Sequence, residues 1–302
     1  MPLWTHYYTP ATVAEAVDLL QRHAGQARVV AGGTDLLVDM RANQDPPHEA
    51  LVDITRIPDL MQIQDHGDTI SIGAGVTHTQ IVKSPLIIQY ATALVEGCGV
   101  VGGPQVRNVA TLGGNVAHAL PAGDGTTSLV TLGAEVDVVH HGEEKRVPIL
   151  EMYQGPGKSL LDSSRDLLVR FHFRKMGPRE ATAFKRIMRP QGVALPVLSC
   201  AVWIQLDETL QNYADARICI APMGPRPLRV TFVEEAMIGL PANDETIAHL
   251  IEIAHENLNP RTSAYRATAD YRRELIGVLL RRTLLLAANR VRTGQITPEI
   301  GS

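Results

Sequence analysis

The chain has 302 residues, 45% hydrophobic and 20% charged. That balance excludes a disordered chain and, at about 100–200 residues per domain, suggests two domains. The formal charge is −4, from 28 Lys+Arg against 32 Asp+Glu, so no basic surplus points to nucleic acid or an anionic membrane.

Three scattered cysteines, Cys98, Cys200 and Cys219, form no C-x-x-C pair. This argues against a disulfide framework or an iron–sulfur cluster held by this chain alone, and for a reducing cytoplasm. No apolar run reaches the roughly 18 residues that span a bilayer. The start, Met1-Pro2-Leu3-Trp4-Thr5-His6, lacks the regions of a signal peptide.

Thr12-Val13-Ala14-Glu15 reads as a capping box. Val13, Ala16, Val17 and Leu20 follow at i, i+3, i+4 and i+7, one apolar helix face that Gly25 can close in a left-handed conformation. Residues 27–31 are a short β-branched run and predict a strand entering Gly32-Gly33. Residues 35–41 then read as a helix or a turn. Strands are predicted over 50–54 and 69–73, and a helix over 85–98. Gly97, Gly99, Gly102, Gly103 and Pro104 break regular structure, and 107–124 reads as a long irregular segment. Residues 135–140 and 145–149 predict a hairpin around His141-Gly142. Further strands are expected over 167–173, 183–188, 198–206 and 216–221. Asn243-Asp244 can cap a helix with the face Ile247, Leu250, Ile251 and Ala254. The last predicted helix covers about 267–289. Strands before helices make this final third α+β.

Two glycine-rich segments stand out, Val29-Val30-Ala31-Gly32-Gly33-Thr34-Asp35-Leu36 and Thr111-Leu112-Gly113-Gly114-Asn115. Glycine permits positive φ and close approach of a ligand to the backbone. Consecutive N–H groups can then converge on an anion. Thr34, Thr111 and Asn115 add side-chain donors. Two such loops suit two linked phosphates, with neutralisation from peptide dipoles since neither loop holds Lys or Arg. The plain alternative is two ordinary tight turns. No G-x-x-x-x-G-K-[ST] is present, and no G-x-G-x-x-G opens a long helix.

The segments Ala31-Gly32-Gly33-Thr34-Asp35-Leu36-Leu37 and Arg107-Asn108-Val109-Ala110-Thr111-Leu112-Gly113-Gly114-Asn115-Val116, continued by Pro121-Ala122-Gly123-Asp124, strongly resemble the FAD-binding medium subunit of molybdenum hydroxylases. That group includes the xanthine dehydrogenase flavin domain and the carbon monoxide dehydrogenase medium subunit. The likeness runs from Tyr8-Thr9-Pro10 through Ala183-Phe184-Lys185-Arg186 to Tyr271-Arg272-Arg273-Glu274-Leu275.

The resemblance implies an α+β fold. It comprises a p-cresol methylhydroxylase-type FAD-binding domain over 1–177, in two α/β subdomains of about 1–57 and 58–177, and a small α+β C-terminal domain over 178–302. It places Val29, Val30, Ala31, Gly32, Gly33, Thr34, Asp35 and Leu36, with Thr111, Leu112, Gly113, Gly114 and Asn115, around the FAD diphosphate and its flanking sugars. It makes Asp124 a polar partner of the cofactor and sets Leu167 near the flavin ring. Lys185 falls where xanthine dehydrogenases have a flavin-side lysine, with a surface ion pair as the plain alternative. Val101 stands where some relatives use an aromatic residue near adenine. The implied role is an electron-transfer subunit, with a small subunit carrying two [2Fe-2S] clusters and a large molybdopterin subunit as partners. No metal site is expected on this chain.

Other residues take plainer readings. The cysteines are small core residues. His140-His141 is solvated at a hairpin tip, with no third ligand nearby in sequence. His78 follows Gly73-Ala74-Gly75-Val76-Thr77, and cofactor proximity stays open. The pairs Arg272-Arg273 and Arg281-Arg282 are expected on exposed helix faces. Two rival functions remain: a self-contained flavin oxidoreductase acting on a small metabolite, and a non-catalytic dinucleotide-binding subunit.

Overall fold

The computed structural model describes residues 2–189, 195–263 and 266–300. The elements in chain order are β1 (Trp4–Tyr8), α1 (Val13–Arg22), β2 (Ala27–Val30), α2 (Leu36–Arg41), β3 (His48–Asp53), β4 (Ile63–Asp65), β5 (Thr69–Gly73), α3 (His78–Lys83), α4 (Pro85–Tyr90), α5 (Thr92–Gly99), α6 (Pro104–Arg107), α7 (Leu112–Ala117), α8 (Asp124–Thr131), β6 (Glu135–His140), β7 (Glu143–Pro148), β8 (Tyr153–Gly155) and β9 (Lys158–Ser159). They continue with β10 (Leu167–Arg174), β11 (Glu180–Met188), β12 (Pro196–Leu206), β13 (Tyr213–Ala221), β14 (Leu228–Arg229), α9 (Thr231–Met237), α10 (Asp244–Asn257) and α11 (Ala269–Thr293). The chain divides into two compact units that interleave in sequence. The first runs to Gln80 and adds Pro104–Ala119 and Ala134–Arg174; the second takes Ile81–Gly103, Leu120–Gly133 and everything from Lys175.

In the first unit, β3 lies between β1 and β2 in a parallel three-stranded sheet. The parallel pairing follows from the connections: α1 and α2 lie between the strands, and a parallel pair needs such a crossover. The capping box forms at α1. Thr12 Oγ accepts from Glu15 N at 3.1 Å, while Glu15 reaches back to Ala11 N at 2.8 Å. Ala16 and Leu20 of α1 share a core with Ala27, Ala50, Val52 and Ile57. A second sheet, antiparallel in the order β4-β5-β10-β6-β7, completes this unit beside the small β8-β9 pair.

In the second unit, β11 to β14 form an antiparallel sheet in sequence order. β12 is buried almost throughout. Its alternate residues Leu198, Cys200, Val202 and Ile204 pack with Leu279, Leu280 and Leu284 of α11 in one core. Ala201 packs instead with Phe184 and with Ala93 of α5. The period-2 pleat thus sends successive side chains to two covered faces. Glu96 and Arg290 are both fully enclosed here. Arg290 donates to Glu96 Oε1 at 2.5 Å and to Thr182 O at 2.7 Å, and Glu96 also accepts from Phe184 N and Glu299 N, each at 2.8 Å.

Several expectations change. The helix over 85–98 is two helices, broken at Ala91 (φ −155°, ψ 50°). Gly97 and Gly99 do not break it but belong to α5. A Cβ on Gly97 would stand 2.7 Å from the Asp124 carbonyl oxygen, so this glycine serves close helix packing. The segment 107–124 is not irregular throughout, because Thr111 caps α7 and α8 begins at Asp124. Strands β1 and β4 and helix α9 have no counterpart in the sequence reading. Arg272 is buried rather than exposed, donating to Pro222 O at 3.4 Å. The three cysteines are buried and free, and burial raises all three thiols well above their ordinary range.

Candidate functional site

The first glycine loop leaves β2 at Val30, with Val29 N held by Ser163 O at 2.9 Å. Ala31, Gly32, Gly33, Thr34 and Leu36 are half-buried and Asp35 is exposed. Gly33 takes the left-handed φ of +65°, which favours glycine. Among the described residues, no protein atom accepts from the N–H of Gly32, Gly33, Thr34, Asp35 or Leu36. Five consecutive amides therefore stand open, the arrangement that receives an anion. Gly32 is glycine for another reason. A Cβ there would lie 2.2 Å from Val109 O and 2.8 Å from Ala110 Cα, so neighbouring backbone occupies that space.

Val109 and Ala110 lead straight into the second loop, and its amides are already committed. Leu112 N donates to Val76 O and Gly113 N to Ala74 O, both at 3.0 Å. Gly114 N bonds Thr111 Oγ and Asn115 N bonds Thr111 O, again at 3.0 Å. Gly113 is packed against Ala74, whose carbonyl oxygen would sit 2.5 Å from an added Cβ. Gly114 differs. It is exposed, and a Cβ would meet only Thr111 Oγ at 3.2 Å. Asn115 Oδ1 is buried without a partner. The two loops thus differ: the first offers N–H donors, the second a bare backbone face at Gly114 and, in Asn115 Oδ1, an acceptor suited to a sugar hydroxyl. The donors of the first loop and the clearance at the second fit a dinucleotide's diphosphate.

His78 sits directly behind the second loop. Its N–H donates to Ala110 O at 3.1 Å, and Thr77 bridges Thr111. The ring is fully enclosed and neither nitrogen has a partner. Burial, helped by the Arg107 charge, lowers its pKa to about 4, so the ring is neutral at neutral pH. A ring closed to solvent lines no open surface, and its backbone does the positioning. Leu167 is likewise enclosed, in the core with Ala16 and Leu20.

In the second unit, Asp124 is the first residue of α8 and is 4% exposed. Its Oδ2 accepts from Arg186 at 2.6 Å, and its Oδ1 is buried without a partner. Burial pushes the carboxyl up, to about 7, while Arg186 pulls it back. Lys185, on β11, is buried and donates to the exposed Glu299 at 2.5 Å, so the pair runs from the interior to the surface. That bond holds the Glu299 carboxyl below its ordinary range. Val101 is half-buried. Arg186 was open to the sequence reading as the neighbour of Lys185. Glu299, 114 residues from Lys185, gave no signal.

His140-His141 does have a third group beside it. Asp166, buried in the first unit, accepts from His140 Nδ1, His141 N and Asp162 N, each at 2.9 Å. These bonds clasp the hairpin end, and a separation of 25 residues hid the acid.

Residues 3–173 match the family described as FAD binding domain in molybdopterin dehydrogenase, and 182–287 match the CO dehydrogenase flavoprotein C-terminal domain. The chain is 30% identical over 281 residues to the putative xanthine dehydrogenase FAD-binding subunit of Escherichia coli K12, covering 92% of this chain and 94% of that one. It is 27% identical over 278 residues to the carbon monoxide dehydrogenase medium chain of Hydrogenophaga pseudoflava, covering 92% and 95%. Among solved structures, carbon monoxide dehydrogenase from Hydrogenophaga pseudoflava, in a form lacking the Mo-pyranopterin moiety, superposes with a TM-score of 0.88 at 27% identity. It covers 96% of this chain and 99% of that one.

Proposed function

The chain belongs to the FAD-binding subunits of the molybdopterin dehydrogenase family, and on that premise we propose that it relays electrons from a partner's [2Fe-2S] clusters through FAD to an external acceptor. Bound FAD supplies a centre that exchanges electrons singly or in pairs, the property needed to join a one-electron donor to a two-electron acceptor. The chain's own residues bind and orient. The loops at 29–36 and 111–115 hold the diphosphate and its flanking sugars. Hydrogen bonds from the open amides to phosphate oxygens, each about 1.5–3 kcal/mol, offset the negative charge without a basic side chain. Asp124, oriented by Arg186, is a polar partner of the cofactor. Lys185 supplies a cation near the ring whose field Glu299 partly cancels.

The observation that carries the reading is the run of five unclaimed amides from Gly32 to Leu36, pinned beside the segment that leads to Gly114. Substrate chemistry belongs to a large molybdopterin subunit, and a small [2Fe-2S] subunit delivers electrons. The division into domains falls at about 177, supported by the break between the two matched regions. Three free thiols suit a cytoplasmic setting.

The test is direct. The purified chain is reconstituted with FAD and mixed with the reduced iron–sulfur subunit. Flavin bands near stoichiometry, bleached on mixing and restored by an acceptor, are the expected result. Stoichiometric FAD that the reduced partner never bleaches removes the relay while leaving the cofactor assignment intact.

A further inference from the structure

Among the described residues, the second unit holds three neighbouring arginines that form no ion pair with a carboxylate. Arg272 lies in the first turn of α11, 3% exposed. One guanidinium nitrogen donates to Pro222 O, and its Nε–H is buried without an acceptor. Arg266 and Arg261 are close enough that both charges act on Arg272, and Arg261 acts on Arg266 in turn. The backbone gathers them. Ser263 pairs with Ala267, Arg266 N donates to Ser263 O at 3.3 Å, and Ala269 N donates to Thr262 Oγ at 3.0 Å. Among the described residues, Arg261, Arg266 and Arg272 have no ion pair. Asp124 is the acid whose charge reaches Arg266, and it is already bound to Arg186.

An enclosed cation without a counter-charge is strongly unfavourable. The charges of half-buried Arg266 and exposed Arg261 add repulsion at Arg272. Burial and that repulsion lower the pKa of both Arg266 and Arg272. The N-terminal end of α11, a helix of 25 residues, points the same sign of potential into this region. The β12–α11 core beside it is built mainly from apolar side chains and holds none of the three arginines.

We infer that Arg261, Arg266 and Arg272, with the first turn of α11, form an anion site that takes a phosphate group. Each guanidinium presents a planar fork of donors suited to two oxygens. A carboxylate has only two oxygens to share among three forks. A phosphate dianion brings more oxygens and more charge, and it would accept from the orphaned Nε–H of Arg272. The phosphate is that of a ligand separate from FAD, whose own two phosphates are assigned to the loops at 29–36 and 111–115. The site stands on the arginines and does not depend on the electron-relay reading.

The experiment uses the full chain in two forms, FAD-loaded and FAD-stripped, in phosphate-free buffer. Each is titrated calorimetrically with inorganic phosphate. Saturable binding is expected that weakens with salt and weakens about tenfold or more in Arg266→Gln and in Arg261→Gln, the loss of one charge-assisted bond. Equal binding to both forms assigns the site to a separate ligand. Binding to the stripped form alone, competed by FAD, overturns the inference, because the phosphate is then occupying the cofactor's own site. Arg272→Gln is the strongest variant; if it does not fold, the two more accessible arginines carry the test. The inference is overturned if neither form binds phosphate saturably, or if both Arg266→Gln and Arg261→Gln bind as the wild type does.

Discussion

Gly32 and Val109 meet backbone to backbone: a methyl group on Gly32 would stand 2.2 Å from the Val109 carbonyl oxygen. Such an overlap cannot be absorbed by a rotamer change. Gly32→Ala should therefore destabilise the first unit by about 1–3 kcal/mol, the usual magnitude for overpacking, and shift the loop that carries the open amides. Urea denaturation of the FAD-free chain measures this. Unchanged stability would show that the loop and the Val109 segment are less tightly apposed.

Gly114→Val should behave in the opposite way. Its Cβ meets only Thr111 Oγ, so the fold tolerates it, while the branched side chain covers the bare face of the second loop. FAD content after reconstitution should fall severely with little change in circular dichroism. Normal FAD retention in a folded variant contradicts the placement of the diphosphate at this loop.

The Glu96–Arg290 pair is enclosed and fully hydrogen-bonded, and removing one partner strands the other. Glu96→Ala should cost about 3–5 kcal/mol of stability. The double variant Glu96→Leu with Arg290→Met should recover much of that loss, because it leaves no isolated charge. Denaturant midpoints of the single and double variants decide it. A double variant no better than the single one means that the bonds to Thr182 O and Phe184 N matter more than the charges.

His78 links stability to pH. Its pKa is lowered from 6.5 to about 4 by burial, so the unfolded chain takes up a proton that the folded chain refuses. Stability from this group is complete above about pH 6.5 and declines as pH falls toward about 4, by roughly 3 kcal/mol in all. His78→Gln should flatten that part of the curve. Denaturation midpoints at about pH 7 and about pH 4.5 for both proteins test the sign. A variant with the wild-type slope would place the acid sensitivity elsewhere.

Much of the local structure was written in short-range pattern. Thr12 and Asn243 cap their helices as their spacing suggests, because a cap is a contact over three residues. The glycine motifs were legible as places where the backbone is freed, but not as to what fills the freed space. Val109 fills it at Gly32 and Ala74 fills it at Gly113, whereas at Gly33 and Gly114 an added Cβ would meet only side-chain atoms. Gly97 looked like a helix end for the same reason, since the carbonyl of Asp124 that it makes room for lies far along the chain. Arg272 resembled an exposed helix charge because its neighbour Arg273 is one, and one hundred degrees of helix rotation separates them. Partners such as Asp166 for His140, or Glu299 for Lys185, follow from tertiary folding and leave no local trace.

Glu96 and Arg290 are separated by 194 positions. A ribosome therefore releases the acid long before its counter-charge exists. During that interval α5 and α8 are in the nascent chain while β12 and α11, which will cover them and close the core, are still unmade. The second unit cannot complete before α11 has emerged, and its earliest helices present unfinished surface until then. Slowing synthesis would prolong that vulnerable period rather than shorten it.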